Sequence, residues 1–172
     1  EVLDQFEATR GAGEVVVRDD VLYVARNTYD PAPGKEVVAV DVETGKTLWT
    51  NGDYLGIAAS VGYQKKHTNA FITLGRERLF LVDENDVVAL ELETGREAWK
   101  KPMPLKDEIV GDIDYRYSNF CTLVYRDGQV FFCQIHPNTQ NVNRWEMKKL
   151  AIEALDVETG ESVQTFAGHT EG

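Results

Sequence analysis

The chain has 172 residues, 42% of them hydrophobic and 27% charged, and 18 basic against 29 acidic residues leave a net charge of −11. That length supports a substantial core, and the composition is that of a globular protein. Dispersed negative charge opposes binding to nucleic acid or to an anionic membrane surface, and no apolar run approaches a membrane span.

Residues 1–13 are mixed and end in Gly11-Ala12-Gly13, which predicts a loose entry segment or a partial strand. Glu14-Val15-Val16-Val17-Arg18 reads as a strand, and Asp19-Asp20 turns it into a second at Val21–Arg26. A polar, proline-bearing loop follows from Asn27 to Lys35. Then comes a stretch that occurs three times: Ala39-Val40-Asp41-Val42-Glu43-Thr44-Gly45-Lys46-Thr47-Leu48-Trp49. The second copy is Ala89-Leu90-Glu91-Leu92-Glu93-Thr94-Gly95-Arg96-Glu97-Ala98-Trp99. The third runs from Ala154 through Asp156, Thr159 and Gly160 to Gln164.

Each copy reads as strand, tight turn, strand. Gly45, Gly95 and Gly160 supply the positive φ that the turn requires. Asp41, Asp156 and the longer Glu91 stand three residues before Thr44, Thr159 and Thr94, where a carboxylate accepts hydrogen bonds from the turn. Trp49 and Trp99 fall on the returning strand and cover neighbouring sheet. These residues are expected to be structural.

Each copy follows a hairpin, so the chain divides into three four-stranded units at about 14–51, 69–101 and 119–166 in a single domain. This is close to the size of a propeller blade. In the second unit Ala70–Leu74 and Leu79–Val82 flank a turn at Gly75, and in the third Phe120–Tyr125 precedes Val130–Ile135. Second strands such as Leu79–Val82 are continuously apolar, as expected of sheets covered on both faces. The predicted fold class is therefore all-β: a propeller segment of three consecutive four-stranded antiparallel blades in an incomplete ring.

Two cysteines, Cys121 and Cys133, lie on strands joined near Asp127-Gly128. A two-residue turn pairs Thr122 with Cys133 and separates the cysteines onto opposite faces; a three-residue turn with a bulge sets them opposite each other. Free buried thiols are the default reading.

In a four-stranded meander the 1–2 and 3–4 turns share one end, and these are all short here. The long segments 27–35, 51–68, 102–118 and 136–148 fall at the other end, where loops on a rigid scaffold carry function. Candidate partner or ligand contacts there are the basic cluster Lys65, Lys66 and His67; Asp112, Asp114 and Tyr115; and His136, Asn138, Asn141, Arg144 and Trp145 from the longest insertion. Asp112 and Asp114 lack the further ligands and the glycine of a calcium loop. The three histidines, His67, His136 and His169, are scattered, and no HExxH or phosphate-binding glycine loop is present. No catalytic residue or metal ligand is assigned.

The motif Ala-x-Asp-x-x-Thr-Gly-Lys-x-x-Trp resembles the repeat of the quinoprotein (pyrroloquinoline quinone, PQQ) dehydrogenase-like β-propellers. Ala39, Asp41, Thr44, Gly45, Lys46 and Trp49 carry it in full; the second copy departs at Glu91 and Arg96, the third at Glu161 and Gln164. The resemblance spans roughly residues 14–166. It implies propellers of about eight blades, some of them alcohol or sugar dehydrogenases with quinone and calcium in a central funnel, others non-enzymatic scaffolds such as one of the bacterial outer-membrane assembly machinery. It also implies a periplasmic or exported bacterial setting. The adjacent cysteines of the alcohol-oxidising enzymes have no counterpart in Cys121 and Cys133.

Three blades make no funnel, so the expectation is a non-catalytic binding or scaffold segment without cofactor, acting through its long-loop face. The remaining blades or another chain would cover its open faces. The alternatives are part of a PQQ-dependent dehydrogenase, with PQQ and calcium, and a propeller unit that closes by self-association. The chain begins at Glu1, without an initiator Met or a visible signal peptide, which reads as a processed or excised product.

Overall fold

A computed structural model describes residues 6–28, 34–54, 58–61, 64–67, 72–83, 86–102, 121–137 and 147–168. They form three four-stranded antiparallel sheets and one two-stranded sheet. The first sheet is β1 (Ala12–Arg18), β2 (Val21–Thr28), β3 (Gly34–Asp41) and β4 (Thr47–Tyr54). A small hairpin follows, β5 (Ala58–Val61) with β6 (Gln64–His67). The second sheet is β7 (Ile72–Leu74), β8 (Arg78–Asp83), β9 (Asp86–Glu91) and β10 (Glu97–Pro102). The third is β11 (Cys121–Arg126), β12 (Gln129–Pro137), β13 (Met147–Asp156) and β14 (Ser162–Gly168). Strand order follows chain order in every sheet, the meander of a propeller blade. First strands meet across sheets, β1 against β7 and β7 against β11, so they line the inner side of the arc.

Two cores lie between successive sheets. Leu79, Phe80, Leu81 and Val82 are all fully buried. Leu79 and Leu81 point into the core shared with Tyr23, Ala25, Val37 and Ala39 of the first sheet. Phe80 and Val82 point the other way, into the core shared with Leu123, Val130, Phe132 and Leu155 of the third. The unbroken apolar run of β8 thus follows from a sheet packed on both faces, as the sequence predicts.

Tight turns join first to second strands. Asp19 and Asp20 (φ 47° and 61°) and Asp127 and Gly128 (φ 49° and 81°) hold both central residues left-handed, the geometry that matches strand twist in a two-residue hairpin. The turn at Asp127-Gly128 pairs Arg126 with Gln129, and hence Thr122 with Cys133 and Cys121 with Gln134. The two-residue alternative holds, and the cysteines occupy positions of opposite parity.

The entry segment holds a partial strand, since β1 begins at Ala12, and a 3-10 turn at Glu7–Thr9 beside β3. Three expectations need correction. The loop expected from Asn27 to Lys35 is shorter, because β2 and β3 pair as far as Thr28 opposite Gly34. Segment 51–68 is not simply a loop, because β4 runs on to Tyr54 and the β5–β6 hairpin follows. Segment 136–148 also holds strand, since β12 and β13 pair as far as Pro137 opposite Met147.

Candidate functional site

The repeat turns share a common set of hydrogen bonds. In each, the backbone N–H of the turn glycine donates to the carbonyl of the acidic residue four positions earlier: Gly45 to Asp41, Gly95 to Glu91 and Gly160 to Asp156, all at 2.8 Å. The acidic residue's own N–H donates across the turn to Lys46, Arg96 or Glu161 O at 2.9 Å. Its carboxylate accepts from the threonine: Thr44 Oγ1 to Asp41 at 2.5 Å, Thr94 Oγ1 to Glu91 at 2.6 Å and Thr159 Oγ1 to Asp156 at 3.0 Å. A further bond ties each of these turns to the first hairpin of its sheet: Val42 to Asp20 O, Leu92 to Glu77 O and Val157 to Gly128 O. Short turns of both kinds therefore share one end of the blades, and the long segments leave from the other.

These bonds hold the carboxyls below the usual carboxylate range. For Asp41 and Glu91 the largest cause is the threonine hydroxyl, and for Asp156 it is the Thr159 N–H. A carboxyl whose acidity is increased by folding stabilises above its unfolded pKa, near 4, and that stabilisation is lost as pH falls through the lowered folded value. Glu14 has the opposite sign, since burial raises its pKa although the Ile72 N–H donates to it at 2.6 Å. Acid titration of unfolding will show stability falling below about pH 4. In the variant Asp41→Asn/Glu91→Gln/Asp156→Asn that fall will be shallower.

A bulge recurs one residue before the tryptophan. Ala39 pairs with Trp49 but Val40 with Thr47, leaving Leu48 extra. Ala98 and Val163 are extra at the same place in the other copies. The bulge sets each large ring opposite a fully buried alanine, Ala39 or Ala89, and turns Leu48 and Val163 outward, 53% and 52% exposed. From there each ring reaches the next blade. Trp49 Nε1 donates to Leu92 O at 2.8 Å and Trp99 Nε1 to Val157 O at 2.9 Å. The rings lie where turn glycines lack a side chain: a Cβ on Gly95 would stand 2.5 Å from Trp49 Cδ2, and one on Gly160 2.8 Å from Trp99 Cδ2. Gly45 receives Phe6 in the same way. Sequence reading identified these residues as structural but missed the bulge and the seat in the following blade.

Polar contacts reinforce the joints. Asn51 Nδ2 donates to Gly95 O at 2.7 Å, and Arg18 donates to Gly75 O. Arg78 pairs with Glu158 at 2.9 Å and Lys101 with Glu161 at 2.6 Å. The turn end also carries an open groove of about 940 Å³, lined by Arg18, Arg76, Arg78, Tyr125 and Glu158 among others. It mixes both charges, and the spacing of the sequence offers no signal for it.

Of the candidate contact residues, Lys65, Lys66 and His67 lie on β6, paired with Ser60, Ala59 and Ala58. His136 lies on β12, paired with Lys149. Asp112, Asp114, Tyr115, Asn138, Asn141, Arg144 and Trp145 lie outside the described residues. Among the described residues no three His, Cys, Asp or Glu side chains gather to hold a metal ion, and no helix is long and apolar enough to cross a membrane.

Comparison with curated proteins finds no match. Among solved structures, the quinohemoprotein alcohol dehydrogenase of Comamonas testosteroni is similar, with a TM-score of 0.57 and 21% identity over 94% of this chain. This chain spans 22% of that one, and the likeness is one of fold. A family model of PQQ-type repeats, described as outer membrane protein assembly factor BamB, matches residues 33–167. With its Thr-Gly turns, its tryptophans seated in the following blade and its three meander sheets, the chain belongs to that PQQ-like β-propeller repeat family.

Proposed function

We propose that the chain is a non-catalytic binding or scaffold arc of a PQQ-like propeller, and that it recognises a protein partner through the end of its blades opposite the Thr-Gly turns. One observation carries this reading: the repeated residues are engaged within the scaffold. The acids hold threonines, the glycines receive rings, and the indole N–H groups bond to carbonyls of the next blade. That leaves recognition to the other end, where the β5–β6 hairpin and the long β12–β13 pair emerge. The description of the matched family supports a protein of outer-membrane assembly as the partner class, and with it a periplasmic or exported setting.

A second reading, part of a PQQ-dependent dehydrogenase, is favoured by the likeness to a quinohemoprotein alcohol dehydrogenase. Among the described residues no three His, Cys, Asp or Glu side chains gather to hold the calcium ion of such an enzyme. Titration with PQQ and calcium, read by quinone absorbance and dye reduction with alcohols and sugars, separates the two. The scaffold reading predicts no saturable change; saturable binding with turnover would overturn it. A third possibility, closure by self-association, requires a mass in solution above that of one chain.

A further inference from the structure

The third sheet departs from the other two where it would meet a following blade. Gln164 stands opposite Ala154, in the place of Trp49 and Trp99. Two residues on, Phe166 stands opposite Ile152, as Asn51 does opposite Val37 and Lys101 opposite Val87. That position addresses the next blade's turn glycine in both joints within the chain. Asn51 donates to Gly95 O, and Lys101 Cγ lies 2.8 Å from where a Cβ on Gly160 would be. Phe166 is 41% exposed and its ring centroid is 6.4 Å from that of Phe131.

The N-terminal sequence repeats this spacing, and its aromatic ring lies at a turn glycine. Glu1-Val2-Leu3-Asp4-Gln5-Phe6 aligns with Glu161-Ser162-Val163-Gln164-Thr165-Phe166: Glu leads each, Leu3 matches Val163, and Phe closes each. Here too no Trp stands two residues before the Phe. Phe6 nevertheless fills the recess of Gly45, its Cδ1 2.6 Å from where a Cβ would be. In this alignment the ring stands two residues after the Trp position and still reaches the seat.

We propose that Phe166 is a docking aromatic: it seats the Thr-Gly turn of a further four-stranded sheet of this repeat against the third sheet, as Phe6 seats that of the first. The occupant is defined by its chemistry, a meander sheet whose turn glycine leaves a ring-sized recess. Exposed apolar side chains support a sheet-on-sheet joint, with Val124, Ile152 and Phe166 open on the third sheet and none among the large exposed hydrophobics on the second. The proposal stands apart from partner binding at the loop end.

The test supplies such a turn from this chain. Phe6→Ala/Phe166→Ala opens the Gly45 recess and carries no Phe166 of its own, and this acceptor is mixed with unmodified protein and followed by sedimentation velocity. We expect a one-to-one complex that weakens at least tenfold when the unmodified protein is replaced by Phe166→Ala. Association of equal strength with Phe166→Ala, or no association up to about 100 μM, a Kd range that marks weak contacts, would overturn the proposal. If that acceptor does not fold, Phe6→Leu/Phe166→Ala opens the recess with less loss of apolar contact, and the same pair of donors decides.

Discussion

Gly95→Ala is expected to destabilise the protein by about 2–5 kcal/mol. A left-handed backbone costs a residue with a Cβ about 1–2 kcal/mol, and Gly95 has φ +68°. Overpacking adds about 1–3 kcal/mol, because the new methyl would stand 2.5 Å from Trp49 Cδ2. Gly128→Ala is the control. It has φ +81° with nothing within 4 Å of the added Cβ, so it loses only the backbone part, about 1–2 kcal/mol. Urea denaturation of both variants, and of Gly95→Ala combined with Trp49→Ala, separates the two causes. In the double variant the steric part disappears, giving a coupling of about 1–3 kcal/mol. Strict additivity would mean that the Trp49 ring does not sit on Gly95.

Trp99→Ala is expected to cost about 3–5 kcal/mol, the range for removing a large buried aromatic. Trp99 is 8% exposed and packs in the core between the second and third sheets, its ring centroid 5.8 Å from that of Phe80. Its removal also takes the N–H from Val157 O. Trp99→Phe keeps most of the ring and loses that hydrogen bond, so it is expected to lose about 1–2 kcal/mol less than the alanine variant loses. Trp49 is half-buried and tilts against Tyr23 at 6.0 Å, and Trp49→Ala falls below Trp99→Ala in cost. For a chain of this length, 1 kcal/mol moves the melting temperature by about 2–4 °C, so thermal scans resolve the order.

How much was legible in the sequence follows from the range of the forces involved. The turns are local. An acid, a Thr and a Gly within five residues determine their own hydrogen bonds, and the structure repeats them three times. The apolar run Leu79–Val82 announced burial on both faces because one strand carries the whole signal. The tryptophan seats were not legible, since Trp49 and Leu92 meet only when two sheets stack. The bulges at Leu48, Ala98 and Val163 were hidden for a related reason: a bulge is a property of two strands in register, not of one. Phe6 read as part of a mixed entry segment because its partner, Gly45, is 39 residues away. The candidate contacts at the loop end were read from composition, and Lys65, Lys66, His67 and His136 lie on strands.

The loop end is the heart of the account, and binding to a reconstituted outer-membrane assembly complex tests it most directly. The comparison sets the charge-reversed variant Lys65→Glu/Lys66→Glu beside Lys46→Glu, which reverses an exposed charge at the turn end. The account predicts saturable binding by the unmodified protein, about tenfold weaker binding for the β6 variant, a change of about 1.4 kcal/mol, and unchanged binding for Lys46→Glu. Full binding by the β6 variant with loss in Lys46→Glu would place recognition at the turn end and contradict it.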